Sequence, residues 1–265
     1  MTTKTARTPG EPGAGPGQPF LEVINLTKDF EINHASVRVL DDISFIAGAG
    51  EMICILGRSG CGKTTLLNIL AGFLPPTSGT VLLNHQAVHC PGPDRCVVFQ
   101  EDALFPWLTV RENIAFGLQG RTKDKAYLNK EVDRFLSLAG LSAFQGYLPR
   151  EISGGMKQRV ALARVLILQP AVLLMDEPFV SLDLQTREEM HNLLVSLWEK
   201  LAQTILFVTH DVDEAIKLAD RILLVDRAPG RIREKIPVSL PRPRTVENTD
   251  FVFFRRKLHE TLRQG

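Results

Sequence analysis

The sequence predicts an α/β fold, a mainly parallel sheet covered on both faces and interrupted by an inserted helical lobe. Three observations predict it. Residues 52–56, 171–175, 205–208 and 222–225 are short, almost wholly apolar runs, as expected of strands buried on both faces. Helical stretches separate them, and strands alternating with helices imply parallel pairing. From about residue 102 to 169 the pattern is helical throughout and reads as an insertion.

Along the chain, residues 1–19 are rich in Pro, Gly and Thr and cannot bury enough apolar surface to offset ordering, so they read as disordered. Residues 21–26 alternate apolar and polar, and 37–45 reads as a second strand; this N-terminal side is expected to be an antiparallel β part. Gly48-Ala49-Gly50 turns the chain into the apolar run 52–56, followed by a glycine-rich loop and helical spacing over 64–71. Further strands are expected at 81–83 and 96–99. Thr109 and Glu112 form a capping-box pattern ahead of Ile114 and Phe116. The expected organisation is a disordered segment 1–19, a main α/β domain 20–235 carrying the helical lobe, and a tail 236–265. In the tail, Phe251, Phe254, Leu258 and Leu262 follow helical spacing with Arg255, Arg256 and Lys257 between them. This short amphipathic helix reads as packed on its own domain; the alternative is a regulatory or membrane-surface role.

Composition narrows the function classes. With 31 Lys+Arg against 30 Asp+Glu the formal net charge is +1, whereas a dedicated nucleic-acid binder would be more basic. No apolar run exceeds about five residues, against roughly 20 for a membrane span, and the N-terminus lacks the apolar stretch of a signal peptide. A cytosolic protein is expected. Cys54, Cys61, Cys90 and Cys96 show no CxxC spacing, which argues against zinc, and all four read as reduced.

Chemistry concentrates in three places. Gly57-Arg58-Ser59-Gly60-Cys61-Gly62-Lys63-Thr64, followed by Thr65, fits GxxxxGK[ST] between a buried strand and a helix. Glycines let successive N–H groups face one anion, and the helix start adds its positive dipole end. Lys63 reaches the β- and γ-phosphates, and the Thr64 hydroxyl can ligate Mg²⁺. A chance match is the bland alternative, and the strand–loop–helix context weighs against it. Second, the apolar strand 171–175 ends in Asp176 and Glu177, at the strand end where α/β sheets bind ligands. Asp176 is expected to hold Mg²⁺ through water. Strand alternation would turn Glu177 to the opposite side, where it can orient and deprotonate an attacking water. A solvated strand end is the alternative. Third, Ser153-Gly154-Gly155 opens a helical run, a second ready-made anion site unless it is ordinary capping.

Together these residues resemble the ABC transporter ATPases. GRSGCGKT is similar to that family's Walker A, ISGGMKQR to its signature motif and LLMDEP to Walker B. Phe99-Gln100 is similar to its Q-loop, Ser181-Leu182-Asp183 to its D-loop and Thr209-His210-Asp211 to its switch histidine, all in the family's order over about 21–235. The resemblance implies a P-loop NTPase core and a head-to-tail dimer of identical or closely paralogous subunits. In it, Ser153, Gly154 and Gly155 of one chain cap ATP on the phosphate loop of the other. It further implies that Gln100 joins Mg²⁺ and the γ-phosphate, that His210 holds the γ-phosphate and the water, that Asp183 belongs to the nucleotide site and that Phe30 stacks on adenine. A core aromatic is the other reading of Phe30. Ile152, Met156 and Arg58 depart from the usual Leu, Gln and Pro, and Val180-Ser181 from the usual small pair; none removes a reactive group.

Pro91-Gly92-Pro93-Asp94-Arg95, residues 104–110, Met156 and Pro229-Gly230-Arg231-Ile232 resemble the nitrate, taurine, aliphatic sulfonate and bicarbonate importer branch. That implies two membrane permease subunits, an indirect periplasmic or surface binding protein, no nucleic acid, and a peripheral place on the cytoplasmic face of the inner membrane. The permease is expected to dock around residues 101–107. A soluble ABC ATPase acting on nucleic acid or ribosomes is the runner-up; its DNA-repair members carry long coiled coils, and no heptads occur here. A regulatory ATP-binding module is a third reading, against which Glu177 argues, since a sensor needs no water-activating base.

Overall fold

The computed structural model describes residues 20–100 and 103–263. The segment 1–19, expected to be disordered, lies outside them. In chain order the elements are β1 (Leu21–Ile32), β2 (Ala35–Ala47), β3 (Met52–Leu56), α1 (Lys63–Ala71), β4 (Ser78–Leu83), β5 (Gln86–Ala87) and β6 (Arg95–Val98). Then come α2 (Val110–Gln119), α3 (Lys125–Leu138), α4 (Gly154–Leu166), β7 (Val172–Asp176), α5 (Leu184–Leu201) and β8 (Thr204–Thr209). The chain ends with α6 (Val212–Leu218), β9 (Arg221–Val225), β10 (Ile232–Pro237) and α7 (Thr249–Arg263).

Two sheets form, ordered β2-β1-β4-β5 and β10-β9-β3-β8-β7-β6. The first is antiparallel throughout. Its two hairpins turn at Asn33-His34 and Asn84-His85, all four at positive φ, which a two-residue hairpin turn of matching twist requires and Asn tolerates well. The second sheet is parallel from β9 to β6, with β10 added antiparallel at its edge.

Alternation along the apolar runs builds two cores. Ile53, Ile55, Val172, Leu174, Leu206, Val208, Leu223 and Val225 face one cluster, shared with α1 and the antiparallel sheet. Met52, Cys54, Leu56, Leu173, Met175, Ile205, Phe207, Ile222 and Leu224 face the other, shared with α2 to α7. A strand wedged between two apolar layers has no polar face, hence the unbroken apolar runs. The helices expected as a lobe therefore pack into the same core as the sheet.

The tail joins that core. The expected boundary at 235 falls inside β10, and Phe251 and Leu258 of α7 are buried while Phe254 and Leu262 are half-buried against the same cluster. This is the packed reading of the amphipathic helix. Among the described residues no helix is long and apolar enough to cross a membrane.

Because β3, β8 and β7 run parallel and adjacent, their carboxyl ends open on one edge. Gly57 N–H donates to Thr209 O (3.4 Å) and Glu177 N–H to Val208 O (3.1 Å), tying together the three loops that leave this edge.

Candidate functional site

The glycine loop leaves β3 and enters α1 through Gly62, which takes φ 95° and offers no side-chain cap. The first N–H groups of α1 thus keep no capping side chain, and its first turn carries no acid, as suits an anion. A side chain at Gly62 would be strained by φ, and its Cβ would lie 2.7 Å from Leu40 Cδ2. Lys63 is buried, and its Nζ donates to Gly57 O (2.8 Å) and Arg58 O (3.1 Å) while lying 3.6 Å from Glu177 Oε1. The ammonium is thus stored at the loop, between main-chain carbonyls and the carboxylate.

Ser59, Gly60, Gly62, Lys63, Thr64, Thr65, Gln100, Asp176 and Glu177 line one cleft of about 370 Å³, together with Val39. Residues from four separate stretches of sequence converge here. Gly57 and Cys61 do not line it. The Cys61 side chain is buried in the core, where burial raises its thiol pKa, so this residue can serve a ligand only through its main chain. Arg58 is exposed beside the cleft.

The carboxylate pair differs from its expected geometry. The strand ends at Asp176, and Glu177 takes φ 45°, so alternation no longer sets its direction and both carboxylates line the same cleft. A left-handed, non-glycine residue costs of order 1 kcal/mol and marks a functional constraint. Burial pushes the Asp176 carboxyl above the usual carboxylate range, partly offset by a hydrogen bond from the Thr64 hydroxyl. His210, just past β8, places Nδ1 2.9 Å from Glu177 Oε2. Gln100 is exposed at the cleft, its carbonyl accepting from Gln158 Nε2 at 3.3 Å.

Four predicted site residues lie elsewhere. Ser153 caps α4, its Oγ accepting from Met156 N–H (3.3 Å), and is exposed with Gly154. Gly155 is buried against Thr186. Asp183 caps α5, accepting from Thr186 N–H (3.0 Å) and the Thr186 hydroxyl (2.7 Å), which holds its carboxyl below the usual range. None of them lines the cleft. Phe30, half-buried, pairs across strands with Val37, two residues before the cleft residue Val39, and carries Lys28 Nζ 5.0 Å above its ring.

Sequence reading missed Val39, Arg187 and Glu214. Val39 sits mid-strand, where only tertiary pairing reveals the neighbour. A side recess beside the cleft is lined by Glu177, Val180, Arg187, Thr209, His210, Asp211 and Glu214. A helical acid four residues after His210 was the available signal for Glu214. The Pro229-Gly230-Arg231 turn also abuts the loop: Gly230 N–H donates to Val39 O (2.8 Å), and a Cβ there would meet Cys61 O at 2.2 Å.

The model of the family described as ABC transporter matches residues 40–180. The chain is 46% identical over 223 residues to the nitrate import ATP-binding protein NrtD of Synechocystis sp., covering 83% of each chain. It is 47% identical over 216 residues to the taurine import ATP-binding protein TauB of Roseobacter denitrificans, covering 81% of each. Among solved structures it resembles the dimeric post-hydrolysis state of the ATP-binding cassette MJ0796 bound to ADP and Pi. That match has a TM-score of 0.71 and 29% identity, over 83% of this chain and 100% of the other.

Proposed function

This chain belongs to the ABC transporter family, and we propose that it binds and hydrolyses ATP to power an importer of nitrate, taurine, sulfonate or a similar small anion. One observation carries the chemistry: the glycine loop, Lys63, Thr64, Gln100, Asp176 and Glu177 converge on one cleft with His210 on the base. The import names of its relatives favour this reading over a soluble ATPase acting on nucleic acid or ribosomes.

Each residue's role follows from its position. The N–H groups of 59–65 cradle the β- and γ-phosphates, and Lys63 exchanges its loop carbonyls for phosphate oxygens. Glu177 orients a water in line with the γ-phosphate and accepts its proton at a carboxylate oxygen. His210 steadies that carboxylate and reaches the γ-phosphate. Thr64 Oγ, the Gln100 amide oxygen and the Asp176 carboxylate are hard oxygen donors on one cleft, and the half-buried Asp176 carboxylate suits a cation, so the set fits Mg²⁺. Mg²⁺ there would neutralise charge developing on the phosphate oxygens. Phe30 supplies an adenine platform on the face that carries Val39.

The exposed placement of Ser153 and Gly154, outside the lining of their own chain's cleft, suits capping of a partner's ATP in a head-to-tail dimer, as does the dimeric cassette this chain resembles. Two permease subunits and a binding protein complete the importer, with this chain peripheral on the cytoplasmic face of the inner membrane. For the docking surface, Glu101 and Asp102 lie outside the described residues. Beyond them Trp107 is 71% exposed and Phe116 49%, while Phe105 packs between them. Exposed aromatics of this kind suit a partner helix. The test is ATPase activity of the importer assembled from this chain, its permease subunits and its binding protein. Stimulation by one of these anions is expected; stimulation only by a cation, sugar or peptide would overturn the cargo assignment.

A further inference from the structure

Outside the cleft sits an ionisable pair that the hydrolytic roles above leave unused. His191 Nε2 of α5 lies 2.7 Å from Glu214 Oε1 of α6, and the two side chains are 7% and 9% exposed. We infer that His191 is a positioning residue for hydrolysis, locking the segment that carries Glu177 and the helix that follows His210 into one register. The inference rests on the roles proposed for Glu177 and His210.

The geometry supports it from two directions. The His191 and Phe179 rings meet edge to face, centroids 5.7 Å apart at 60°, and Phe179 is buried two residues after Glu177. Glu214 is fixed to the switch loop by its own main chain, its N–H donating to Asp211 Oδ1 (3.1 Å), while Asp211 N–H donates to Thr209 Oγ1 (2.9 Å). One imidazole therefore touches both the chain just beyond the base and the helix that begins two residues after His210. Arg187, one turn earlier on α5, adds a second anchor: its Nη2 donates to Val180 O (3.2 Å) and Leu182 O (2.9 Å). Both α5 residues border the recess beside the cleft, Arg187 lining it directly and His191 through Glu214.

As a stability device the pair is poor. Buried ionic pairs often break even against apolar packing, and His191 Nδ1 is buried with no hydrogen-bond partner among the described residues. As a positioning device it is effective, because a short bond between two buried groups fixes distance and direction at once. The consequence falls on the 2.9 Å contact between His210 Nδ1 and Glu177 Oε2. A shift of α6 against the 177–182 segment would open that contact without touching the phosphate loop.

The test compares His191→Gln, whose terminal amide can reach Glu214, with His191→Asn, whose shorter amide cannot. In the full chain, kcat and KM for MgATP are measured beside nucleotide affinity and thermal unfolding. The Asn variant is expected to lose at least about tenfold in kcat, a sub-ångström misplacement at the chemistry being costly, with ATP affinity within twofold. The Gln variant is expected to recover kcat to within about twofold. Should the Asn chain fail to fold, Glu214→Asp makes the same comparison from the other partner. An Asn variant as active as the parent, or Gln and Asn variants that lose kcat and affinity equally, would overturn the inference. Glu177→Gln and His210→Ala run beside them; if those keep full turnover, the roles of Glu177 and His210 are wrong instead.

Discussion

Gly154 and Gly155 stand side by side at the start of α4, yet the structure assigns them opposite sensitivities. A Cβ built on Gly155 would lie 2.3 Å from Thr186 Cγ2, whereas on Gly154 the nearest atom is Leu182 Cδ2 at 4.0 Å. The first distance is far inside van der Waals contact. Thr186 cannot simply rotate away, because its hydroxyl donates to Asp183 Oδ2 (2.7 Å) at the cap of α5. Overpacking of this kind costs about 1–3 kcal/mol, and the helix preference for Ala over Gly returns about 0.5–1 kcal/mol. Gly155→Ala should therefore destabilise the chain by roughly 0.5–2 kcal/mol, and Gly154→Ala should leave it unchanged or slightly stabler. Thr186→Ser removes Cγ2 and keeps the hydroxyl, and the remaining Thr186 atoms lie 3.8 Å and 4.0 Å from the added Cβ. Urea unfolding of the two single variants and G155A/T186S measures the coupling, expected at about 1–2 kcal/mol in favour of the double variant. Equal effects of the two alanines, or no rescue by Thr186→Ser, would show that the Gly155–Thr186 contact is not what makes Gly155 sensitive. Gly154→Ala should nonetheless lower ATPase activity, since the added Cβ would stand on the exposed surface proposed to cap the partner's nucleotide.

Lys63→Ala should abolish most ATP binding in a titration, the loss of a charge-assisted contact to phosphate; its apo stability should fall as well, since the buried ammonium also holds Gly57 O and Arg58 O and lies 3.6 Å from Glu177 Oε1. Asp176→Asn should raise the melting temperature of the nucleotide-free chain at neutral pH. Its folded carboxyl is raised above the unfolded value, so the folded state holds more protons and stability declines as pH rises from the unfolded value through the folded one. The same variant should lose the further rise that MgATP gives the parent. Asn113→Ala should cost roughly 2–3 kcal/mol and expose the 103–109 segment to limited proteolysis. Asn113 is fully buried, accepts from Phe105 N–H and donates to the carbonyls of Phe105, Leu108 and Thr109.

Much of the fold was legible because burial on two faces leaves a plain mark. The runs around Met52, Leu173, Phe207 and Leu223 have no polar alternate positions, and each became a strand of the central sheet. The capping box at Thr109 and Glu112 formed as read, both reciprocal contacts present. Local signals failed where tertiary pairing decides. β10 carries Arg233, Glu234 and Lys235, a polar edge strand recruited by β9, and its composition resembles a linker. Within the site, the glycine loop and the acids announced themselves by residue type. The direction of Glu177 did not: alternation assumes an extended chain, and φ 45° ends that assumption one residue too early. The His191–Glu214 pair was invisible because its members lie 23 residues apart on different helices.

The central claim is that Glu177 is the base of an ATPase cleft. Its most direct test is steady-state hydrolysis of MgATP by the full chain and by Glu177→Gln, with nucleotide affinity measured on the same samples. The amide keeps the shape of the side chain but cannot take a proton at neutral pH. Expected are ATP affinity within about threefold of the parent, turnover reduced at least roughly 10²-fold, and an ATP-dependent dimer that persists in the variant. Turnover within a few-fold of the parent would contradict the claim and move the proton acceptor to His210, 2.9 Å away.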